Sequence, residues 1–252
     1  MAEESIADLL ADLTDEQESL MTVLRAIGDD DWFRPTPAKY WDVRDTIAHF
    51  ADTDELAFDT LTGGERTLND FATRLASGED VTFWGVQRGR RLSGREVLSW
   101  WERTAAAQRE QFALTTPDFR VPWGLGMRTA SLIKARLMEA FAHGHDVRVA
   151  LGVKIPDSAR LRHVAWLATR ALPYAYTVAG REPPSGALRV ELELSDGSIW
   201  TYGPDDAPNR ITGRALDYCE VFVQRRRWTD APELIAQGDA AVAALEVARA
   251  YL

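Results

Sequence analysis

The sequence predicts a two-part α and α+β fold, a bundle of four long helices followed by a smaller α+β domain. Three observations predict it. Before Pro156, apolar residues recur at three- and four-residue steps in four long stretches, the repeat of helices that each bury one face. After Pro156 the pattern shifts to alternation around an Asp-Gly turn, a hairpin signal. No internal repeat, low-complexity stretch or long linker interrupts the 252 residues, which suffice for two modest domains, each with a core. The expected division is 1–155 and 156–252.

Each element has its own reason. Ile6, Leu9, Leu10, Leu13, Leu20, Val23, Leu24 and Ile27 define an amphipathic helix over residues 4–27. After a loop rich in Asp and Pro, a second helix runs from Val43 to Leu61, and Thr62-Gly63-Gly64 stops it. In the mixed stretch 65–95 a helix is expected to begin near Leu68. Ser93 supplies the N-cap of a third strong helix over 94–115, which ends at Thr116-Pro117. The stretch Val121 to Gly126 reads as a turn-rich loop feeding a fourth helix, Thr129 to Leu151, closed by Gly152. In the second part, Leu161 to Ala179 reads as one helix. Leu188–Leu194 and Ile199–Tyr202 form the hairpin, Arg210–Thr212 adds a strand, and 213–224 and 231–251 read as helices.

Composition narrows the function. Hydrophobic residues make up 46% and charged residues 27%, an ordinary globular balance. The net charge of −10 argues against a nucleic-acid partner, which calls for a basic face. Cys219 is the sole cysteine, so an intrachain disulfide or a thiolate metal cluster is excluded. No apolar run reaches the length of a membrane span, and the acidic N-terminus lacks the features of a secretory signal. The expected setting is the cytoplasm, the expected partner a small-molecule substrate, and the chain a monomer or homodimer.

The chemistry concentrates in three residues. Glu139 and His143 lie four apart on the fourth helix, one above the other on one face. His49 lies mid-way along the second helix, and a bundle brings such positions face to face. Two imidazoles and one carboxylate leave coordination positions open, the pattern of a catalytic metal site. It suits Zn²⁺ and also Fe²⁺, Ni²⁺ or Mn²⁺. His145 points about 200° away from His143 and stays outside the site. Asp146 projects within about 20° of Glu139, two turns on, and is a candidate partner for a ligand or a general base. Asp45, one turn before His49, is a second candidate for that role. Asp52, Asp54, Glu55 and Asp59 read as solvated surface.

The segments that carry these residues are distinctive. Trp41-Asp-Val-Arg-Asp45-Thr-Ile-Ala-His49, preceded by Thr36-Pro37-Ala38, resembles the second-helix signature of the DinB-like, mycothiol-dependent maleylpyruvate isomerase superfamily. Ala135 to Gly152, with Glu139-Ala-Phe-Ala-His143, resembles its fourth-helix signature. The resemblance implies that His49, Glu139 and His143 bind a divalent metal, usually zinc. Arg160 to His163, Trp200 to Gly203, Gly213 to Asp217 and Gln224-Arg225-Arg226 resemble the sterol-carrier-like α+β domain often attached to that bundle. The strongest likeness is to an actinobacterial metal-binding subgroup, which carries Gln where this chain has His145. Relatives use mycothiol for cis–trans isomerisation or transfer it to an electrophile. The reading is therefore a divalent-metal-dependent isomerase or thiol transferase, with metal-bound thiolate or water acting on a small electrophile. Two alternatives stand beside it. One is a thiol-independent isomerase, cyclase or hydrolase of secondary metabolism on the same site, motivated by His145 and the altered loop Trp123-Gly-Leu-Gly-Met127. The other is a non-catalytic binding protein.

Further residues stand out. Arg225, Arg226 and Arg227 form a basic patch, and Arg225 and Arg226 are candidates for holding a carboxylate of cofactor or substrate. Arg88-Gly-Arg90-Arg91 is a similar run. His163 and Cys219 read as packed helix residues.

Overall fold

The computed structural model describes residues 4–64, 73, 83–123 and 126–250. The chain divides into two compact units, Met1–Ile155 and Pro156–Leu252. The helix expected near Leu68 falls outside the described residues.

In the first unit the long helices are α1 (Ile6–Ala26), α2 (Val43–Thr62), α4 (Gly94–Ala113) and α5 (Thr129–Leu151), with a short α3 (Phe83–Gly89) before α4. Their ends follow capping chemistry. The Ser5, Asp42 and Ser93 side chains accept from the backbone N–H groups of Asp8, Asp45 and Glu96, while Gly63 and Gly152 end α2 and α5 in the left-handed region. Among the described residues, two clusters contribute to the bundle core. Leu9, Leu13, Phe112, Leu132 and Leu137 fill one, and Leu24, Trp32, Ile47, Phe50, Val97 and Trp101 fill the other. Phe50 stacks on Trp101 at 4.9 Å between ring centres. Helix α5 buries residues around most of its circumference, among them Ile133, Leu137, Met138, Phe141, Ala142 and Val147. Polar side chains on such a helix need partners or a function. The loop expected between Val121 and Gly126 carries a small hairpin, β1 (Arg120–Val121) against β2 (Met127–Arg128).

The second unit holds a four-stranded sheet of β3 (Leu188–Glu193), β4 (Ile199–Tyr202), β5 (Asn209–Arg214) and β6 (Ile235–Gln237), in the order β4-β3-β5-β6. The expected hairpin pairs Leu192 with Trp200, and β5 runs parallel to β3 with Val190 opposite Ile211. The helix expected over 161–179 is two helices, α6 (Leu161–Arg170) and α7 (Leu172–Val178). Pro173 explains the break, because it has no N–H to donate and its ring collides with the carbonyl four residues back. Helix α8 (Ala215–Phe222) buries Tyr218, whose hydroxyl lies 2.8 Å from Thr169 Oγ1. The helix expected over 231–251 is also overturned. Ile235–Gln237 pairs antiparallel with β5, leaving α9 only Asp239–Glu246. Sheet pairing outweighs a helical apolar pattern there.

Candidate metal centre

The N-terminal end of α2 is built by a closed turn. Thr36 N–H and its hydroxyl both donate to Trp41 O, at 2.9 and 3.0 Å, and Val43 N–H donates to Arg34 O. Tyr40 sits at φ 70°, a conformation costly for a non-glycine residue. Arg90 holds the turn, donating to Tyr40 O at 3.2 Å and through two nitrogens to Asp45 at 2.7–3.2 Å. Asp45 is thus engaged by Arg90 and by the N-terminus of α2, which corrects the expectation that it backs a metal ligand. The turn places the Trp41 ring 4.9 Å from the His49 ring and 5.8 Å from the His143 ring.

His49, Glu139 and His143 converge. Glu139 Oε2 lies 3.9 Å from His49 Nε2 and 3.6 Å from His143 Nε2. One ligand atom from each of the three lies within 4.8 Å of the others. Donors sharing a tetrahedral zinc with bonds near 2.1 Å stand about 3.4 Å apart, so the donor set fits one first-row divalent cation. The three side chains are 12–22% exposed, enough for an ion to enter and an outer ligand to reach it. Phe50 meets His143 edge to face at 5.9 Å, so Trp41 and Phe50 give the site aromatic sides.

Charge is arranged to suit coordination. Burial disfavours the charged ring and lowers the His49 pKa, leaving a neutral imidazole near pH 7. Burial alone would raise the Glu139 carboxyl. The polar contact with His49 and the charges of His143 and Arg136 outweigh it and lower the pKa to about 2. Metal binding requires these forms, neutral imidazole and ionised carboxylate. Asp146 is fully buried, and its Oδ2 lies 3.4 Å from His143 Nδ1, the nitrogen on the other side of the ring from Glu139. A carboxylate behind a ligating imidazole fixes its tautomer and orientation. His145, on α5 near Phe141, lies outside the three-residue cluster.

Sequence reasoning missed the base of this site. Asp54, expected on the surface, has no exposed area, and Asp52 is also buried. Asp54 Oδ1 accepts from Arg136 at 2.7 and 3.1 Å and from Gln108 at 2.9 Å, and Oδ2 accepts from Trp101 Nε1 at 3.0 Å. Arg136 also donates to Thr53 Oγ1, whose own hydroxyl donates to His49 O. Arg136 stands three residues before Glu139, so one guanidinium pins α2 to α5 beside the two ligand-bearing turns. The available signal was Arg136 itself, a cation between Ala135 and Leu137 on a helix that is buried around most of its circumference.

Residues 13–148 match the profile of the mycothiol maleylpyruvate isomerase N-terminal domain. The chain belongs to this family. Two uncharacterized proteins of Mycobacterium tuberculosis, from strains H37Rv and CDC 1551, are each 34% identical to it over 96% of this chain and 94% of theirs. Crystal structures of the mycothiol-dependent maleylpyruvate isomerase and of a single-residue variant share the fold. Their TM-scores are 0.58 and 0.59 at 13% identity, covering 92% of both chains. This member of the isomerase family has no helix among its described residues long and apolar enough to cross a membrane.

The second unit holds the other candidates. Arg226 donates to Asp217 at 2.8 Å, Arg225 donates to Val223 O, and both line a depression of about 560 Å³ with Arg227 and Trp228. His163 is buried in α6. Cys219 is buried too, and burial pushes its thiol pKa well up, so it is inert as a nucleophile.

Proposed function

We propose that the protein is a divalent-metal-dependent enzyme that works as an isomerase or thiol transferase, with mycothiol as its thiol cofactor. The convergence of His49, Glu139 and His143 at the spacing of a shared cation carries this reading. When bound, the metal, most simply Zn²⁺, supplies a Lewis acid whose open position lowers the pKa of a thiol or water. The protein's own residues do the rest. His49 presents a neutral nitrogen and Glu139 an ionised oxygen, His143 supplies the third donor atom, and Asp146, beside the His143 ring, is the group placed to keep that ring in register. Asp146 thereby serves as a positioning group instead of a base that meets substrate. Trp41 and Phe50 exclude water from one side and offer flat apolar walls to a conjugated electrophile. In the second unit, Arg225 and Arg226 are the groups we assign to hold a carboxylate.

Metal analysis of the purified protein, followed by incubation with mycothiol and a conjugated cis-diacid, tests the reading. One bound divalent ion per chain and thiol-dependent isomerisation or adduct formation are expected. A chain that binds no ion, or turns over substrate equally without thiol, overturns it.

A further inference from the structure

The first unit carries a second concentration of polar chemistry that the metal centre does not use. Arg88, Arg91, Arg95 and Arg103 surround a depression of about 570 Å³ on the α3 and α4 side of the bundle, with Trp100 in its wall. That volume lies within the range of small-molecule sites, roughly 300–1,000 Å³. All four arginines are exposed. Among the described residues, Glu96 is the one acid in the lining, and it is committed to capping α4, accepting from Ser93 N–H and its hydroxyl at 2.7 Å.

Among the described residues, four arginines therefore line the depression beside one already occupied carboxylate, in a chain whose net charge is −10. Arg88 is held by Glu55 at 2.6 Å and lies 4.0 Å over the Trp100 ring. Arg95 has Asp29 at 3.8 Å, beyond hydrogen-bonding distance. Among the described residues, Arg91 and Arg103 have no acidic partner. Clustered like charges repel, and an acidic protein has ample carboxylates to neutralise them locally. Here Arg91 and Arg103 line the depression without such a carboxylate among the described residues. Arg95 and Arg103 are eight residues apart on one helix face, about 12 Å along the axis, with Ser99 between them.

From this arrangement we infer that the α3 and α4 face is a binding site for a small molecule carrying two or more linked phosphoryl groups. Guanidinium forks match phosphate oxygens in pairs, and the 12 Å spread favours a chain of charges over a single phosphate. Arg88, already fixed by Glu55 and Trp100, forms a pre-ordered edge, while Arg91 and Arg103 close from the other sides. The run Arg88-Gly-Arg90-Arg91 divides its labour accordingly. Arg90 secures the Tyr40 turn, and the two flanking arginines face the depression.

Calorimetric titration of the metal-loaded protein at low salt, with inorganic tripolyphosphate as probe, tests the site. Saturable one-to-one binding is expected, weaker for orthophosphate and falling as salt rises. The exposed double variant Arg91→Ala/Arg103→Ala should melt like the parent and bind at least about tenfold more weakly. Arg226→Ala/Arg227→Ala, in the second unit, should bind unchanged, and so should His49→Ala, which separates the site from chelation at the metal centre. No saturable binding overturns the inference. So does equal affinity in the Arg91/Arg103 variant, loss of binding in either control, or tighter binding of an oligoglutamate peptide than of tripolyphosphate.

Discussion

Two polar clusters share helix α2, one around Asp54 and one around His49. Asp54 is surrounded by donors at 2.7–3.1 Å from Trp101, Gln108 and Arg136. Each of these is an ordinary hydrogen bond, and Gln17 adds a longer one at 3.5 Å. In the cluster around His49, Glu139 lies 3.6 and 3.9 Å from the two imidazole nitrogens, and three ligand atoms face a common gap. The first cluster is closed on itself and holds helices together. The second is open by about one ion and is held in shape by the first. Distance alone separates a scaffold from a site, even though both are made of buried carboxylates and cationic or imidazole partners.

Substitutions can break or sharpen this contrast. Asp54→Ala strands the Arg136 charge in the core, so a loss of about 3–5 kcal/mol in denaturant unfolding is expected. A shift within experimental scatter would show that the cluster is no scaffold. His49→Ala should do the reverse, changing apo stability far less. It should weaken zinc binding by at least about a hundredfold, roughly 2.7 kcal/mol, seen as loss of the zinc-induced rise in Tm. Asp146→Asn leaves all three ligands in place and should weaken zinc binding about ten- to a hundredfold, measured by competition with a chromophoric chelator. The smallest effect concerns pH. The folded-state pKa values of His49 and Glu139 both lie below their ordinary values, so the unfolded chain binds more protons as pH falls. The stability they contribute is present above pH 6.5 for His49 and above 4.5 for Glu139, and acidification removes it. The apo Tm should therefore drop on going from pH 7 to 5 and again toward pH 2, with the first step flattened in His49→Ala.

The open cluster was legible in the sequence because its spacing is helical. Glu139 and His143 are one turn apart, and apolar periodicity located both helices. The closed cluster was not. Asp52, Asp54, Glu55 and Asp59 look like a solvated face, and it takes Gln17, Trp101, Gln108 and Arg136, from three other helices, to reveal that Asp54 points inward. Periodicity also passed over Pro173, which splits one expected helix, and over Ile235–Gln237, where pairing with β5 decides the conformation. Local patterns report what a segment prefers, whereas burial of a charge depends on partners distant in sequence.

Helix α3 lies against α2 through glycines. A Cβ on Gly89 would stand 2.3 Å from Ala48 Cβ, and one on Gly85 would stand 2.4 Å from Asp52 Cβ. The helix carrying His49 is thereby pressed from outside while Arg136 grips it from within, so it has no slack to swing. Capture and release of an ion must then proceed through rotation of side chains, on the rapid timescale of rotamers, instead of the slower sliding of whole helices.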